Sequence, residues 1–278
     1  MLSTTIVIDQ KVIGKDAKPY VIAEAGSNFN QSLETAKDLI TAASAAGADA
    51  VKFQLFRAEF LYPKRDGLYQ VFKDIELKPE WIPELSKFAR EAGVTFLASA
   101  FDSLSVEVLE SVDVGAHKIA SSELTNFPLL QLIASTGKPV ILSTGMSDLI
   151  DIDEAVNLCL ATGNPNIALL QCGSMYPLPS QYTHLRVIQT LRTLYGCPIG
   201  FSDHTLDSVA ATTAVGLGSV LFEKHFTLNR EMPGPDHFYA LEPKELSSYV
   251  KSISKAHDSL GSEKKEMLED ERAKSKEQ

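Results

Sequence analysis

The chain has little of what would tie it to an oxidising compartment, a membrane or a nucleic acid. It carries only three cysteines, Cys159, Cys172 and Cys197, and no Cys-x-x-Cys pair. Such a set argues against a disulfide framework or a cysteine zinc cluster and reads as reduced, buried thiols of a cytoplasmic protein. No basic stretch followed by an apolar one opens the sequence, so no signal peptide is expected. The longest nearly apolar run, 209–222, is interrupted by Thr, Gly and Ser. It falls short of the roughly 20 residues that cross a bilayer, so no membrane partner is expected. Lys and Arg number 26 against 36 Asp and Glu, a net charge of −10. That balance argues against a nucleic-acid partner, because a phosphate backbone demands clustered cations. A small anion remains possible if a few cations gather in one pocket. No Gly-x-Gly-x-x-Gly follows the first strand candidate, which weakens a dinucleotide-binding fold.

What the chain has is rhythm. Its 278 residues, 44% of them apolar, suit one (β/α)8 barrel of about 250 residues. Short β-rich runs at 20–24, 50–54, 95–99, 116–119, 140–143, 167–171, 199–202 and 220–224 alternate with amphipathic segments. Leu33, Ala36, Ile40 and Ala43 have helical spacing, as do Leu129, Leu132 and Ile133. Gly47, Gly93, Gly137 and Gly196 fall where helices should end. Strands alternating with helices imply parallel βαβ units, and eight units in this length favour an α/β closed TIM barrel over an open sheet. Segment 4–18 alternates around Ile6, Ile8, Val12 and Ile13. An N-terminal β-hairpin within 1–18, covering the barrel's bottom, is therefore expected. The barrel domain should occupy 1–260, and the charged tail 261–278 should be helical or disordered. The long connection 57–78 reads as a lid or binding loop.

Barrel active sites form at the C-terminal ends of the strands, and polar residues cluster at those ends here. Lys52, Lys118, His204 and His225 stand out because they interrupt apolar strand segments. A buried charge needs a partner or a ligand. Alternation puts Lys52 and Gln54 on one strand face. If that face points into the mouth, Lys52 and Lys118 converge there, and Ser121, Ser143 and Ser202 add hydroxyls suited to a phosphate or carboxylate. Two other readings stand beside this: each lysine pairs with a neighbouring Glu, or Lys118 forms a Schiff base. His204 and His225 end adjacent strands and both imidazoles can reach one divalent ion. Glu24 and Glu123 are inward carboxylates that can orient substrate, bind a water or move protons, or else neutralise the lysines. Asp236 is either a turn cap or a sugar-hydroxyl ligand. Ser202, Asp203 and His204 do not make a hydrolase triad, because consecutive extended residues point to opposite sides. His117 should face the helices, and His184 and His257 read as ordinary helix residues.

Taken together, the motifs at 22–28 (Ile-Ala-Glu-Ala-Gly-Ser-Asn), 50–54 (Ala-Val-Lys-Phe-Gln), 118–123 (Lys-Ile-Ala-Ser-Ser-Glu), 142–146 (Leu-Ser-Thr-Gly-Met), 176–177 (Tyr-Pro), 200–205 (Gly-Phe-Ser-Asp-His-Thr), 223–227 (Glu-Lys-His-Phe-Thr) and 234–237 (Gly-Pro-Asp-His) resemble the sialic acid synthase family. That family includes N-acetylneuraminate, legionaminic and pseudaminic acid synthases. The resemblance implies a metal-dependent condensation of phosphoenolpyruvate with an amino-sugar aldehyde, giving a nonulosonic acid and phosphate by C–O cleavage. It implies that His204 and His225 hold a divalent ion, Mn or Mg. Lys52, Lys118, Ser121, Ser143 and Ser202 would cradle phosphoenolpyruvate, and Glu24, Gln54, Glu123, Tyr176 and Asp236 would face the sugar. A homodimer is implied as well. The chain stops about where the family's small antifreeze-like domain would begin, so the sugar site is expected to be incomplete or to take a separate partner. Segment 57–78 is shorter than usual and offers no counterpart to an asparagine near the phosphate, and Ser174 stands where some members carry Asn. A catalytically weak barrel that binds a sugar or a partner, and a Schiff-base aldolase acting through Lys118, are the competing readings.

Overall fold

In the computed structural model, which describes residues 1–275, eight parallel strands close into a barrel behind a two-stranded N-terminal hairpin. The hairpin is β1 (Thr5–Ile8) and β2 (Lys11–Gly14). The barrel strands are β3 (Tyr20–Gly26), β4 (Ala50–Leu55), β5 (Thr95–Ala100), β6 (His117–Ile119), β7 (Val140–Ser143), β8 (Ile167–Cys172), β9 (Ile199–Asp203) and β10 (Leu221–His225). They follow one another around the ring, and β10 pairs with β3 to close it, with His225 beside Glu24. The expected strands all form, each within two residues of its predicted ends.

The ring helices are α1 (Leu33–Ala46), α4 (Ile82–Glu91), α5 (Ser103–Ser111), α6 (Phe127–Ala134), α7 (Leu149–Ala161), α8 (Val187–Tyr195), α9 (Val209–Gly216) and α10 (Pro243–Leu260). Segment 57–78 is not a bare loop: it winds into two short helices, α2 (Ala58–Leu61) and α3 (Gly67–Lys73). Tyr62 and Phe56 hold Phe72 of α3 by ring contacts at 4.8 and 5.5 Å. In the charged tail, α11 spans Glu269–Ser275, and 276–278 lie outside the described residues. Among the described residues no helix is long and apolar enough to cross a membrane.

Two apolar layers hold the barrel. Outward strand residues such as Val51, Phe53 and Phe222 pack beneath the helices. Inward residues near the bottom, among them Tyr20, Ile22, Leu97 and Ile141, form a second core that Ile6, Ile8 and Ile13 of the hairpin seal. Each such side chain contributes about 1.5–3 kcal/mol when buried. Val12 departs from expectation. It pairs with Val7 across the hairpin and both face solvent, 53% and 49% exposed. One face of a two-stranded ribbon always meets water, and the three isoleucines occupy the other. The four predicted cap glycines all take positive φ. His184 is not helical: it has φ 46° in the connection before α8. His257 lies in α10 as expected. The three cysteines are free and buried.

Candidate active site

The strand tips converge on a cavity of about 250 Å³ at the barrel mouth. Alternation turns Lys52 and Gln54 of β4, Lys118 of β6, Ser143 of β7, Ser202 of β9 and His225 of β10 to it, with Glu24 from β3 and His204 just past β9. Ser121 and Tyr176 complete the predicted set on its wall. Two predicted residues stand apart. Asp236 lines an adjoining cavity with Tyr239, whose hydroxyl donates to it at 2.7 Å. Glu123 does not line the central cavity; it accepts from Asn126 Nδ2 at 2.8 Å in a 3-10 turn ahead of α6.

The carboxylate that sequence reasoning missed is Glu223. It sits between the lysines, 3.6 Å from Lys52 Nζ and 3.7 Å from Lys118 Nζ, and accepts from Ser202 Oγ at 3.0 Å. The signal was its two-residue offset from His225, which puts both on the inward face of β10. Lys52 also meets Glu24 at 2.7 Å and donates to Ser99 Oγ at 2.9 Å. Lys118 donates to Ser143 Oγ at 2.8 Å and to the Ile119 carbonyl at 2.9 Å. So the ion-pair reading and the converging-lysine reading both hold, with Glu24 and Glu223 as the partners.

The charges settle unequally. Burial works to raise Glu223, but Lys118, Lys52 and His225 outweigh it and hold the carboxyl at about 2. Burial pushes Glu24 up to about 7; Lys52 offsets part of this and the Glu223 charge adds to it. Burial lowers Lys118, against Glu223 and with the charge on Lys52. Burial also opposes the charge on Lys52, but Glu223 and Glu24 prevail and raise it. Glu223 is thus the firmly ionised carboxylate between the two lysines, while Glu24 is poised to take up or release a proton near neutral pH.

The imidazoles of His204 and His225 lie 5.5 Å apart, ring centre to ring centre. His204 Nδ1 is 2.7 Å from the Gly173 carbonyl, which fixes that nitrogen as the donor and leaves Nε2 its lone pair. His225 Nδ1 is buried with no hydrogen-bond partner. Burial, with His204 and Lys52 adding, holds His225 well below its ordinary range, in the neutral form that ligates metals. Burial works to lower His204 too, but Cys172 and the Gly173 carbonyl outweigh it and raise it. Among the described residues no cage of three or more His, Cys, Asp or Glu side chains forms. The donor set fits a divalent ion held by two imidazoles, with its remaining positions open to oxygen ligands. Tyr176 packs 4.2 Å from the His204 ring and 5.7 Å from that of His225.

Behind the histidines runs a buried clasp. Their outward neighbours Asp203 and Lys224 pair at 3.3 Å, and Lys224 also donates to the Thr205 carbonyl. Tyr249 of α10 donates to Asp203 at 3.0 Å. His117 faces the helices as expected, with Nε2 2.8 Å from Glu110 of α5. On the far wall Gly145 N donates to Ser121 Oγ at 3.1 Å. A Cβ on Gly145 would stand 2.5 Å from Ser174 Oγ and 2.8 Å from Ser121 Oγ, so the backbone can approach these hydroxyls only without a side chain.

Known proteins share this architecture. The profile of the NeuB family matches residues 39–265. An uncharacterized protein of Methanocaldococcus jannaschii is 41% identical over 267 residues, 96% of this chain and 79% of that protein. The N,N'-diacetyllegionaminic acid synthase of Legionella pneumophila is 39% identical, over 93% of this chain and 78% of its own. The crystal structure of N-acetylneuraminic acid (sialic acid) synthetase from Leptospira borgpetersenii, in complex with citrate, superposes with a TM-score of 0.92 at 32% identity, covering 99% of this chain and 96% of that one.

Proposed function

The chain belongs to the NeuB family, and we propose that it condenses phosphoenolpyruvate with an N-acetylated amino-sugar aldehyde to give a nonulosonic acid and inorganic phosphate. The acceptor is of the N-acetylmannosamine or 2,4-diacetamido-trideoxyhexose type. The observation that carries this reading is the pair of buried lysines sharing Glu223 beside two imidazoles at one barrel mouth. In this reading Lys52 and Lys118 hold the phosphate and carboxylate of phosphoenolpyruvate, aided by the hydroxyls of Ser99, Ser121 and Ser143. Their charges are fixed in place before the reaction, so they stabilise developing anionic charge without reorganisation. A divalent ion, Mn or Mg, held by His204 and His225 would supply Lewis acidity toward the aldehyde oxygen.

A bond forms between the methylene carbon of phosphoenolpyruvate and the aldehyde carbon. Water adds to the former enol carbon, and its C–O bond to phosphate then breaks, releasing phosphate and leaving the keto acid. Glu24, whose carboxyl is pushed up to about 7, takes a proton from the water and passes it to the former aldehyde oxygen, and the proton of the hydroxyl so added leaves with the phosphate as the ketone forms. Gln54 donates to Glu24 at 3.3 Å and keeps that carboxyl aimed. Tyr176 and Asp236 face the sugar. Glu123, which does not line the cavity, is given no step in this scheme.

Phosphoenolpyruvate labelled with ¹⁸O in its bridging oxygen tests the scheme, incubated with Mn and the acceptor aldehydes. The label is expected in the released phosphate. Label retained in the keto acid, or no phosphate release with any aldehyde, would sink it. Lowered by burial, Lys118 also keeps a Schiff-base reading open. Borohydride with pyruvate decides: a covalent adduct on Lys118 favours the aldolase, and none is expected.

A further inference from the structure

The outward faces of β9 and β10 carry Phe201 and Phe222, which pack beneath the helices, and two residues further on they carry Asp203 and Lys224. There the apolar layer gives way to a charged pair buried at both ends. Among the described residues the other ion pairs buried at both ends are those of Lys52 and Lys118 inside the barrel. Desolvating two charges beneath the helices costs stability that apolar side chains would supply, so packing does not account for the pair. Its place in the chain does. Asp203 precedes His204, Lys224 precedes His225, and the strand register sets Asp203 and Lys224 side by side.

The contacts close around the histidines. Asp203 Oδ1 accepts from Thr205 N at 2.8 Å and from Thr205 Oγ1 at 2.7 Å, tying together the two residues that flank His204. Lys224 donates to the Thr205 carbonyl, which joins that turn to the residue before His225. Asp203 Oδ2 accepts from the Tyr249 hydroxyl at 3.0 Å, and Lys224 Nζ stands 5.3 Å from the centre of the Tyr249 ring. We infer that Asp203, Lys224 and Tyr249 are positioning residues for the ion site. They lie outside the cavity and hold the two imidazoles, through the backbone, at the separation where one divalent ion can reach both. The inference rests on the reading above, in which His204 and His225 are the ion's ligands. Through Tyr249, helix α10 bears on that ion although it supplies no ligand to it.

The test reads Mn affinity of the full chain, from the paramagnetic resonance of the free ion, beside urea unfolding in a chelator. Tyr249→Phe removes one hydroxyl and keeps the ring. Asp203→Asn combined with Lys224→Met removes both charges together and leaves none buried unpaired, so its metal-free urea midpoint should stay close to that of the unmodified chain. Its Kd for Mn should nevertheless rise about tenfold or more, and that of Tyr249→Phe about tenfold, the usual scale for residues that orient a ligand from behind. A merely structural clasp gives the opposite split. A lowered metal-free midpoint with an unchanged Kd, or an unchanged Kd in both variants, would overturn the proposal. If the double variant does not fold, Tyr249→Phe decides alone. Failure of the unmodified chain to bind Mn overturns the ion assignment and the clasp together. Mn bound without phosphate release from any aldehyde sinks the condensation alone, and the variants' Kd values still judge the clasp.

Discussion

Glu223→Gln removes the charge that two buried lysines share while nearly keeping the side chain's shape. The carboxyl is held at about 2 in the folded protein against an ordinary 4.5, because Lys118 and Lys52 outweigh its burial. By linkage that difference is worth about 3 kcal/mol of folding stability at neutral pH. An independent route gives the same scale: breaking a buried ion pair by removing one partner costs about 3–5 kcal/mol. Glu24 remains at 2.7 Å from Lys52, so Lys118 is the lysine left most exposed to the loss. Urea unfolding at pH 7 should show the midpoint falling by about 1 M, taking an m-value near the top of the usual range of ~1–3 kcal/mol per molar. Adding Lys118→Met should recover part of the loss, because the second change removes the ammonium that the first left unpaired. Inorganic phosphate should restore the single variant more than it stabilises the unmodified protein, since an anion can take the carboxylate's place. The sign with pH follows from the depressed folded value. The carboxylate's contribution is complete above about 4.5 and fades as pH falls toward 2, so the two proteins should converge in acid. Equal midpoints at pH 7 would refute the reasoning, for Glu223 would then be a bystander.

Four further outcomes are expected. His204→Ala and His225→Ala should each abolish turnover and Mn binding, read by electron paramagnetic resonance, while circular dichroism stays native; full activity in either removes the ion assignment. Lys118→Ala should raise KM for phosphoenolpyruvate far more than KM for the sugar, and equal rises would give the lysine another task. Gly145→Ala should raise KM for phosphoenolpyruvate about tenfold, a loss of ~1.4 kcal/mol, by pushing the Ser121 hydroxyl off its position; unchanged kinetics would show that the wall yields freely. Burial lowers His117 from its ordinary 6.5, so the unfolded chain binds the extra proton. Stability should be full above about pH 6.5 and decline as pH falls below it, and His117→Phe should flatten that part of the urea-midpoint profile.

Much of the fold and of the site is legible in the sequence. The strands stood out because parallel barrel strands are buried on both faces and read as apolar runs. Lys52, Lys118, His204 and His225 were visible against those runs for the same reason. Glu223 was not, because it begins a Glu-Lys-His triplet at the end of a strand, where a charge normally meets solvent. Its two-residue offset from His225 is the one sequence signal that it points inward, and the register of β10 on β9, which sets Glu223 beside Ser202, bears that out. Glu123 differs in the opposite sense, standing outside the cavity lining. It follows Lys118 in a polar motif, but a 3-10 turn rotates it off the strand direction. Segment 57–78 gave no helical signal because α2 and α3 are too short for a period to register, and α3 buries none of its side chains.

The pairing of β10 with β3 sets Glu24, the proposed proton carrier, next to His225, a proposed ion ligand, although some two hundred residues of chain separate them. Neither neighbour exists until the eighth barrel strand docks against the first. Chemical competence is therefore a reporter of ring closure: on a ribosome or in a refolding tube, turnover can begin only after the final strand has found its seam, however much helix and sheet has already formed.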